Sequence, residues 1–155
     1  MTKPLWAPWR LEYIEQADED TGRCILCDPE PALLVHTGQH ALVVLNKYPY
    51  ASAHVMVAPR RHVGDYRELR EAEGLEVHRL TARALEALAA AFAPHGFNVG
   101  WNLGRVGGAA IDDHVHEHVV PRWTGDTNFM PVLADTRVMP QALAETAEQL
   151  RAVWA

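Results

Sequence analysis

The sequence has little cysteine, with only Cys24 and Cys27 in 155 residues. Two cysteines so close together make no extracellular disulfide framework. No run of about 20 uncharged apolar residues exists, so no membrane span and no membrane partner are expected. The start, Met1-Thr2-Lys3-Pro4-Leu5-Trp6, lacks the apolar stretch of a secretory signal. A basic surplus is missing too. Fourteen Lys and Arg stand against 20 Asp and Glu, for a formal net charge of −6. Broad binding to nucleic acid needs a basic field that displaces counterions, so that partner class is excluded. Repeats, low-complexity tracts and Gly/Ser linkers are also absent. These absences lead to the expectation of a cytoplasmic protein.

What is present fits one folded domain. An apolar fraction of 48% supports a core without covalent staples. The length falls near the usual size of a single domain. We divide it into an N-terminal segment at 1–30 with the Cys-x-x-Cys, a core at 31–132 and a C-terminal tail at 133–155. Ala41 to Leu45 reads as a strand, followed by a turn at Asn46-Lys47-Tyr48-Pro49-Tyr50. His54 to Ala58 reads as a second strand, ended by Pro59. From about Arg67 to Phe92 the period becomes helical, with Val77, Leu80, Ala84, Leu88 and Ala91 on one face. Pro94 and Gly96 stop that helix. Phe97 to Leu103 and Val115 to Val120 read as third and fourth strands around a glycine-rich turn, Gly104-Arg105-Val106-Gly107-Gly108. Leu143, Leu150 and Trp154 lie at helical spacing in the tail. Paired strands around one long helix indicate an α+β fold with an antiparallel sheet.

Nine histidines are present, and three of them form His114-x-His116-x-His118. Strand alternation places all three on one face, about 6–7 Å apart along the chain, with Glu117 pointing the other way. Three readings are open. They can be solvated surface histidines. They can converge on one metal ion. One of them can be a nucleophile, held in a single tautomer by a partner on its other nitrogen. Cys24-Ile25-Leu26-Cys27 has the spacing of half a tetrahedral zinc site. A redox pair or two ordinary cysteines compete with that reading, but no thioredoxin-like pattern surrounds it.

With its setting, the triad stretch His114-Val-His-Glu-His-Val-Val120 resembles the histidine triad (HIT) superfamily of nucleotidyl hydrolases and transferases. The stretches Trp6-Ala-Pro-Trp-Arg10, Asn46-Lys-Tyr-Pro-Tyr50 and Val119-Val-Pro-Arg-Trp-Thr-Gly-Asp-Thr-Asn-Phe129 look like its branch of bacterial diadenosine-tetraphosphate phosphorylases and related hydrolases. The resemblance covers about Trp6 to Val132. It implies a five-stranded antiparallel sheet with one long helix, a C-terminal helical segment and a homodimer. It also implies nucleotidyl transfer at the α-phosphate of a nucleoside polyphosphate, such as diadenosine tetraphosphate. The implied nucleophile is His116, with His118 and His54 near the phosphates. Asn46 would hold the ribose, while Asn102, Gly108 and Ala109 would meet phosphate or leaving group. Structural Zn²⁺ on Cys24, Cys27, His62 and His114 is implied as well, and no organic cofactor. The alternatives are a zinc-dependent hydrolase with all three triad histidines on a catalytic ion, and a nucleotide-binding regulator without turnover.

Two departures from the family pattern stand out. Glu117 occupies a position that is usually apolar. Gly108-Ala109-Ala110 replaces a turn that often carries Gln and Ser or Thr, so no side chain there can protonate a leaving group. Backbone amides of the 104–110 turn, or the C-terminal segment, would have to supply that contact. Finally, Lys47, Arg60, Arg61, Arg105 and Arg122 lie in or beside the site segments, so a locally positive site is expected despite the net charge.

Overall fold

The computed structural model describes residues 24–126 and 142–154. Residues 1–23, with Trp6 and Trp9, and residues 127–132 of the resemblance lie outside the described residues. Five strands form: β1 (Leu34–Thr37), β2 (Ala41–Leu45), β3 (Val55–Pro59), β4 (Gly96–Trp101) and β5 (Glu117–Arg122). They make one antiparallel sheet in the order β1-β2-β3-β5-β4. Helix α1 (Glu71–Phe92) packs on β2, β3 and β5, and helix α2 (Leu143–Val153) packs on α1 and β1. Among the described residues no helix is long and apolar enough to cross a membrane.

The core follows from alternation. Residues paired across an antiparallel ladder share a face. Val43 pairs with Val57, and Val57 with Glu117, which places this set toward α1. Val44, Met56 and His118 form the opposite set. The α1 side closes over Val43, Val57, Val119, Ala84 and Leu88, all essentially inaccessible to solvent. Each large buried aliphatic side chain there contributes about 1.5–3 kcal/mol of transfer free energy.

Helix α1 begins at Glu71 rather than Arg67. A single 3₁₀ turn (Tyr66–Glu68) precedes it, capped by Asp65, whose carboxylate accepts the Arg67 N–H at 2.8 Å. Glu73, in the first turn of α1, accepts the Arg70 N–H at 2.9 Å and so satisfies one otherwise orphaned donor. The helix ends where Ala93 adopts a left-handed conformation (φ 45°), just before Pro94. Further along α1, the Glu76 carboxylate accepts the backbone N–H groups of Gln39, His40 and Ala41. The β1–β2 turn is thereby tied to the helix.

The ladders correct three sequence boundaries. Strand β4 stops at Trp101, because Asn102 turns away and its amide bonds the Gly108 carbonyl at 3.3 Å. Strand β5 starts at Glu117, since the Val115 N–H is used by the Val63 carbonyl at 2.8 Å. It also runs past Pro121. The β3 ladder ends at the Val55–Val119 pair, so Pro121 needs no N–H on that edge. The short strand β1 had no sequence signal of its own. It is held by β2 and by Arg151 of α2, which donates to the Leu34 carbonyl at 2.8 Å.

Candidate active site and metal centre

The triad does not lie on one strand face. His114, at a bend, and His116 precede β5 in irregular chain, and only His118 belongs to the strand. The three imidazoles divide between two places. His116 and His118 touch edge to face, with ring centroids 4.8 Å apart. His114 instead meets His62, 5.1 Å away. All three are buried. The surface-histidine reading is thereby removed.

His116 is fixed by its own chain. Its Nδ1 lies 2.8 Å from the His114 carbonyl. A carbonyl only accepts, so Nδ1 carries the proton and Nε2 carries the lone pair. His116 lines a cleft with His118, Asn46, Lys47, Tyr48, Tyr50, Met56 and Gly108. Burial lowers its pKa below the ordinary histidine value, and the bond to the His114 carbonyl offsets this only in part. At neutral pH the ring is therefore uncharged and nucleophilic.

His54, just ahead of β3, is fully buried behind His118. Its Nε2 lies 2.9 Å from His118 Nδ1, and the ring centroids are 5.1 Å apart. Asn102 brings its amide nitrogen to 3.4 Å from His118 Nε2. Asn46 opens the β2–β3 turn, where its side-chain oxygen accepts the Tyr48 N–H at 2.9 Å. These placements gather His54, His116, His118, Asn46 and Asn102 around one cleft. Ile25, Tyr48, Tyr50, Met56 and Ile111 also line it, and none of them was singled out in the sequence. The only available signal was the adjacency of Tyr48 and Tyr50 to Asn46.

The glycine turn behaves differently from expectation. Gly104 (φ 70°) and Gly108 (φ 91°) occupy backbone conformations that L side chains rarely adopt. The tight turn they allow uses its own amides. Gly107 and Ala109 donate to the Gly104 carbonyl, and Gly108 donates to that of Arg105. Those three N–H groups are not available to a phosphate. Gly108 does line the cleft, whereas Ala109 is buried in the turn.

The expected local positive charge is also largely cancelled. Lys47 pairs with Glu30 at 2.7 Å, Arg61 with Glu73 at 2.7 Å, Arg105 with Asp112 at 2.8 Å and Arg122 with Asp126 at 2.6 Å. Of the five named cations, only Lys47 lines the cleft. Glu117 does face away from the histidines, toward α1. It accepts from the Thr81 hydroxyl at 2.6 Å and from the Trp101 indole N–H at 3.0 Å. A carboxylate is tolerated there because both its oxygens find donors.

A second cluster joins Cys24, Cys27, His62 and His114, whose ligand atoms all lie within 4.8 Å of one another. His114 Nδ1 is 3.2 Å from Cys24 Sγ and 3.5 Å from Cys27 Sγ, and His62 Nδ1 is 3.3 Å from Cys27 Sγ. Bond lengths of about 2.3 Å to sulfur and 2.0–2.1 Å to nitrogen give a tetrahedral S···N edge of about 3.5 Å. The donor set thus fits a tetrahedral ion. The far nitrogens are oriented as metal-bound imidazoles require. His114 Nε2 lies 2.8 Å from the Pro59 carbonyl, and His62 Nε2 lies 3.5 Å from Asp113. Without a cation, partial burial and the neighbouring Cys24 push the Cys27 thiol up to about 11. Because both His114 nitrogens are committed here, the three triad histidines cannot close on one catalytic ion.

Comparison with known proteins bears on the family and the fold. Residues 29–125 match the HIT domain family model. The chain is 36% identical to an AP-4-A phosphorylase of Mycobacterium tuberculosis, over 97% of this chain and 84% of that protein. A histidine triad nucleotide-binding protein of Sulfolobus tokodaii superposes with a TM-score of 0.70 at 23% identity, over 84% of this chain and 91% of that one. A Zn-bound histidine triad family protein of Mycobacterium smegmatis superposes with a TM-score of 0.67 at 23% identity, over 84% and 88%. The chain belongs to the HIT domain family. With that membership it is an enzyme of the HIT nucleotide hydrolase and transferase type.

Proposed function

We propose that this enzyme transfers the nucleotidyl group of a dinucleoside polyphosphate, such as diadenosine tetraphosphate, to inorganic phosphate or water through a covalent nucleotidyl-His116 intermediate. The carrying observation is the 2.8 Å bond from His116 Nδ1 to the His114 carbonyl, which leaves Nε2 as the lone-pair atom. Nε2 attacks the α-phosphorus, and a P–N bond forms as the bridging P–O bond breaks. The electron pair leaves on the departing polyphosphate oxygen. In the second step an acceptor oxygen attacks phosphorus, the P–N bond breaks and the imidazole recovers its lone pair. His118 and Asn102 meet the non-bridging oxygens, and Asn46 meets the ribose. An in-line nucleophile and donors aimed at the equatorial oxygens are what such a transfer needs. The identity to an AP-4-A phosphorylase favours phosphate as acceptor.

Cys24, Cys27, His62 and His114 are the residues that would hold structural Zn²⁺. Two thiolates and two neutral imidazoles cancel its charge. The bound ion supplies rigidity and no reacting group. His114 then joins the N-terminal segment to the chain that carries His116. Among the described residues β4 is an edge strand of the sheet, with Val99 exposed on it and Leu103 and Val106 exposed in the segment that follows, which suits pairing of two copies into a homodimer. A cytoplasmic location and the absence of a nucleic-acid partner rest on composition alone.

The test is rapid quench with labelled diadenosine tetraphosphate, with and without phosphate. An acid-labile nucleotidyl-protein should appear before product and vanish in His116→Gly. Label from phosphate should enter the nucleoside diphosphate. Products from water alone would remove the phosphorylase reading. Tight nucleotide binding without turnover would favour the regulator. Turnover in His116→Gly at the wild-type rate would overturn the mechanism.

A further inference from the structure

We infer that a second, basic cleft at the far end of the β2–β3 ladder, lined by Arg60, Arg61 and Arg70, binds a phosphoryl oxyanion, either free phosphate or the end of a polyphosphate chain. The inference goes beyond the nucleotidyl transfer proposed above and does not depend on it. The ladder runs from the Leu45–Val55 pair, beside Asn46 and the His116 cleft, to the Ala41–Pro59 pair. At about 3.4 Å per residue its two ends lie roughly 13 Å apart. The second cleft opens at the Ala41–Pro59 end, with Arg60, Arg61, Arg70, Glu73, Gln39 and His40 in its wall. Its volume of about 330 Å³ is that of a small-ligand site, for which about 300–1,000 Å³ is usual.

The wall offers donors and lacks acceptors. Three guanidiniums share it with one carboxylate, Glu73. Both Glu73 oxygens are occupied, by Arg61 and by the Arg70 backbone N–H. Arg60 donates from Nη1 to the Gly38 and Gln39 carbonyls at 3.2 and 3.3 Å. Those bonds orient the guanidinium, and its Nε and Nη2 have no acceptor among the described residues. The Arg70 guanidinium likewise has no hydrogen bond or ion pair among the described residues. Glu76 gives both its oxygens to the backbone N–H groups of Gln39, His40 and Ala41, so it is no acceptor for these arginines. The side chains of Gln39 and His40 can add neutral donors. Two guanidiniums in one cleft repel, and an anion between them cancels the repulsion. A carboxylate has two oxygens and one charge, which match one arginine fork. A phosphoryl group has three acceptor oxygens and up to two charges, which match two forks at once. Such an anion ties Arg60, at the end of β3, to Arg70, ahead of α1, and closes the segment that carries His62.

The test is a titration of the zinc-loaded protein with inorganic phosphate and, separately, with tripolyphosphate, at an ionic strength held constant with chloride. ¹H–¹⁵N correlation of the arginine side chains reads the Nε–H groups of Arg60 and Arg70 directly. Both signals should shift along one saturable curve. Arg70→Gln should weaken binding read at Arg60 on the order of 10–100-fold, and Arg60→Gln should do the same at Arg70. Arg70→Gln removes no hydrogen bond made by the side chain, so it tests the site even where Arg60→Gln fails to fold. Lys47→Gln, in the other cleft, should leave both curves in place. Zinc content measured before and after each titration separates binding from chelation. A gain of about tenfold or more for tripolyphosphate assigns the end of a chain, and equal affinities assign a single phosphoryl group. Shifts that grow without saturating, or that chloride alone reproduces, would overturn the inference. So would curves that survive Arg70→Gln unchanged or vanish in Lys47→Gln. None of these signals reads the His116 adduct, so either proposal can fail without the other.

Discussion

Glu73→Gln tests how the metal centre is supported. Glu73 is buried and grips Arg61 through both carboxylate oxygens, at 2.7 and 2.8 Å. The Arg61 guanidinium is the main cause that holds the Glu73 carboxyl at about 2, well below its ordinary 4.5. A depression of that size corresponds to about 3.4 kcal/mol of folding stability at most. One third of the Arg61 side chain is exposed, so solvent screening reduces this to about 2–3 kcal/mol. The folded pKa is the lower one. The stabilisation is therefore complete well above pH 4.5 and is lost as pH falls toward 2. Urea unfolding should show Glu73→Gln less stable than wild type by about 2–3 kcal/mol at pH 7, and by roughly half that near pH 3. Arg61 lies between Pro59, whose carbonyl meets His114, and His62. The variant should also lose zinc faster to a chelator at pH 7. A difference that stays constant or grows as pH falls would refute the reasoning. So would a loss below about 0.5 kcal/mol at pH 7.

Other outcomes follow from single contacts. Leu88→Ala removes a fully buried side chain under the sheet and should cost about 2–5 kcal/mol in urea unfolding. Gly104→Ala forces a side chain into φ 70° and should cost about 1–3 kcal/mol, with a lower kcat as the turn bearing Gly108 shifts. Cys24→Ser should lower bound zinc, measured by atomic absorption, and lower the melting temperature. The His116 adduct should persist in the folded fraction. Glu117→Leu strips the Thr81 hydroxyl and Trp101 indole of their acceptor, and should destabilise the fold by about 1–3 kcal/mol despite matching the family's apolar pattern.

The sequence made β2 and β3 legible as short apolar runs closed by turn residues, and α1 legible by its helical period. Val77, Leu80, Ala84 and Leu88 do line the buried face of α1. Strand β1 was invisible because four residues carry too little alternation, and its partners lie in β2 and α2. The triad was found, but its geometry was not. Alternation assumes a continuous strand, and the Val115 N–H leaves the ladder for Val63. That one bond frees His114 to turn toward the cysteines. The charges were misjudged for a related reason. Spacing shows where Arg61 and Arg105 occur, but not that Glu73 and Asp112 reach them. The amides of the glycine turn were likewise read as free because turn closure is a three-dimensional event.

His114 has two functions that its covalent structure keeps apart. Its side chain reaches the cysteine cluster, while its carbonyl accepts the His116 proton. A substitution at 114 deletes the first contact and retains the atom that makes the second. The reactivity of the neighbouring imidazole is therefore encoded in main chain, which every residue type shares. Divergence at the cysteine cluster is free to alter thermal robustness or metal choice in a lineage, while the electron pair on His116 Nε2 passes through such drift unaltered.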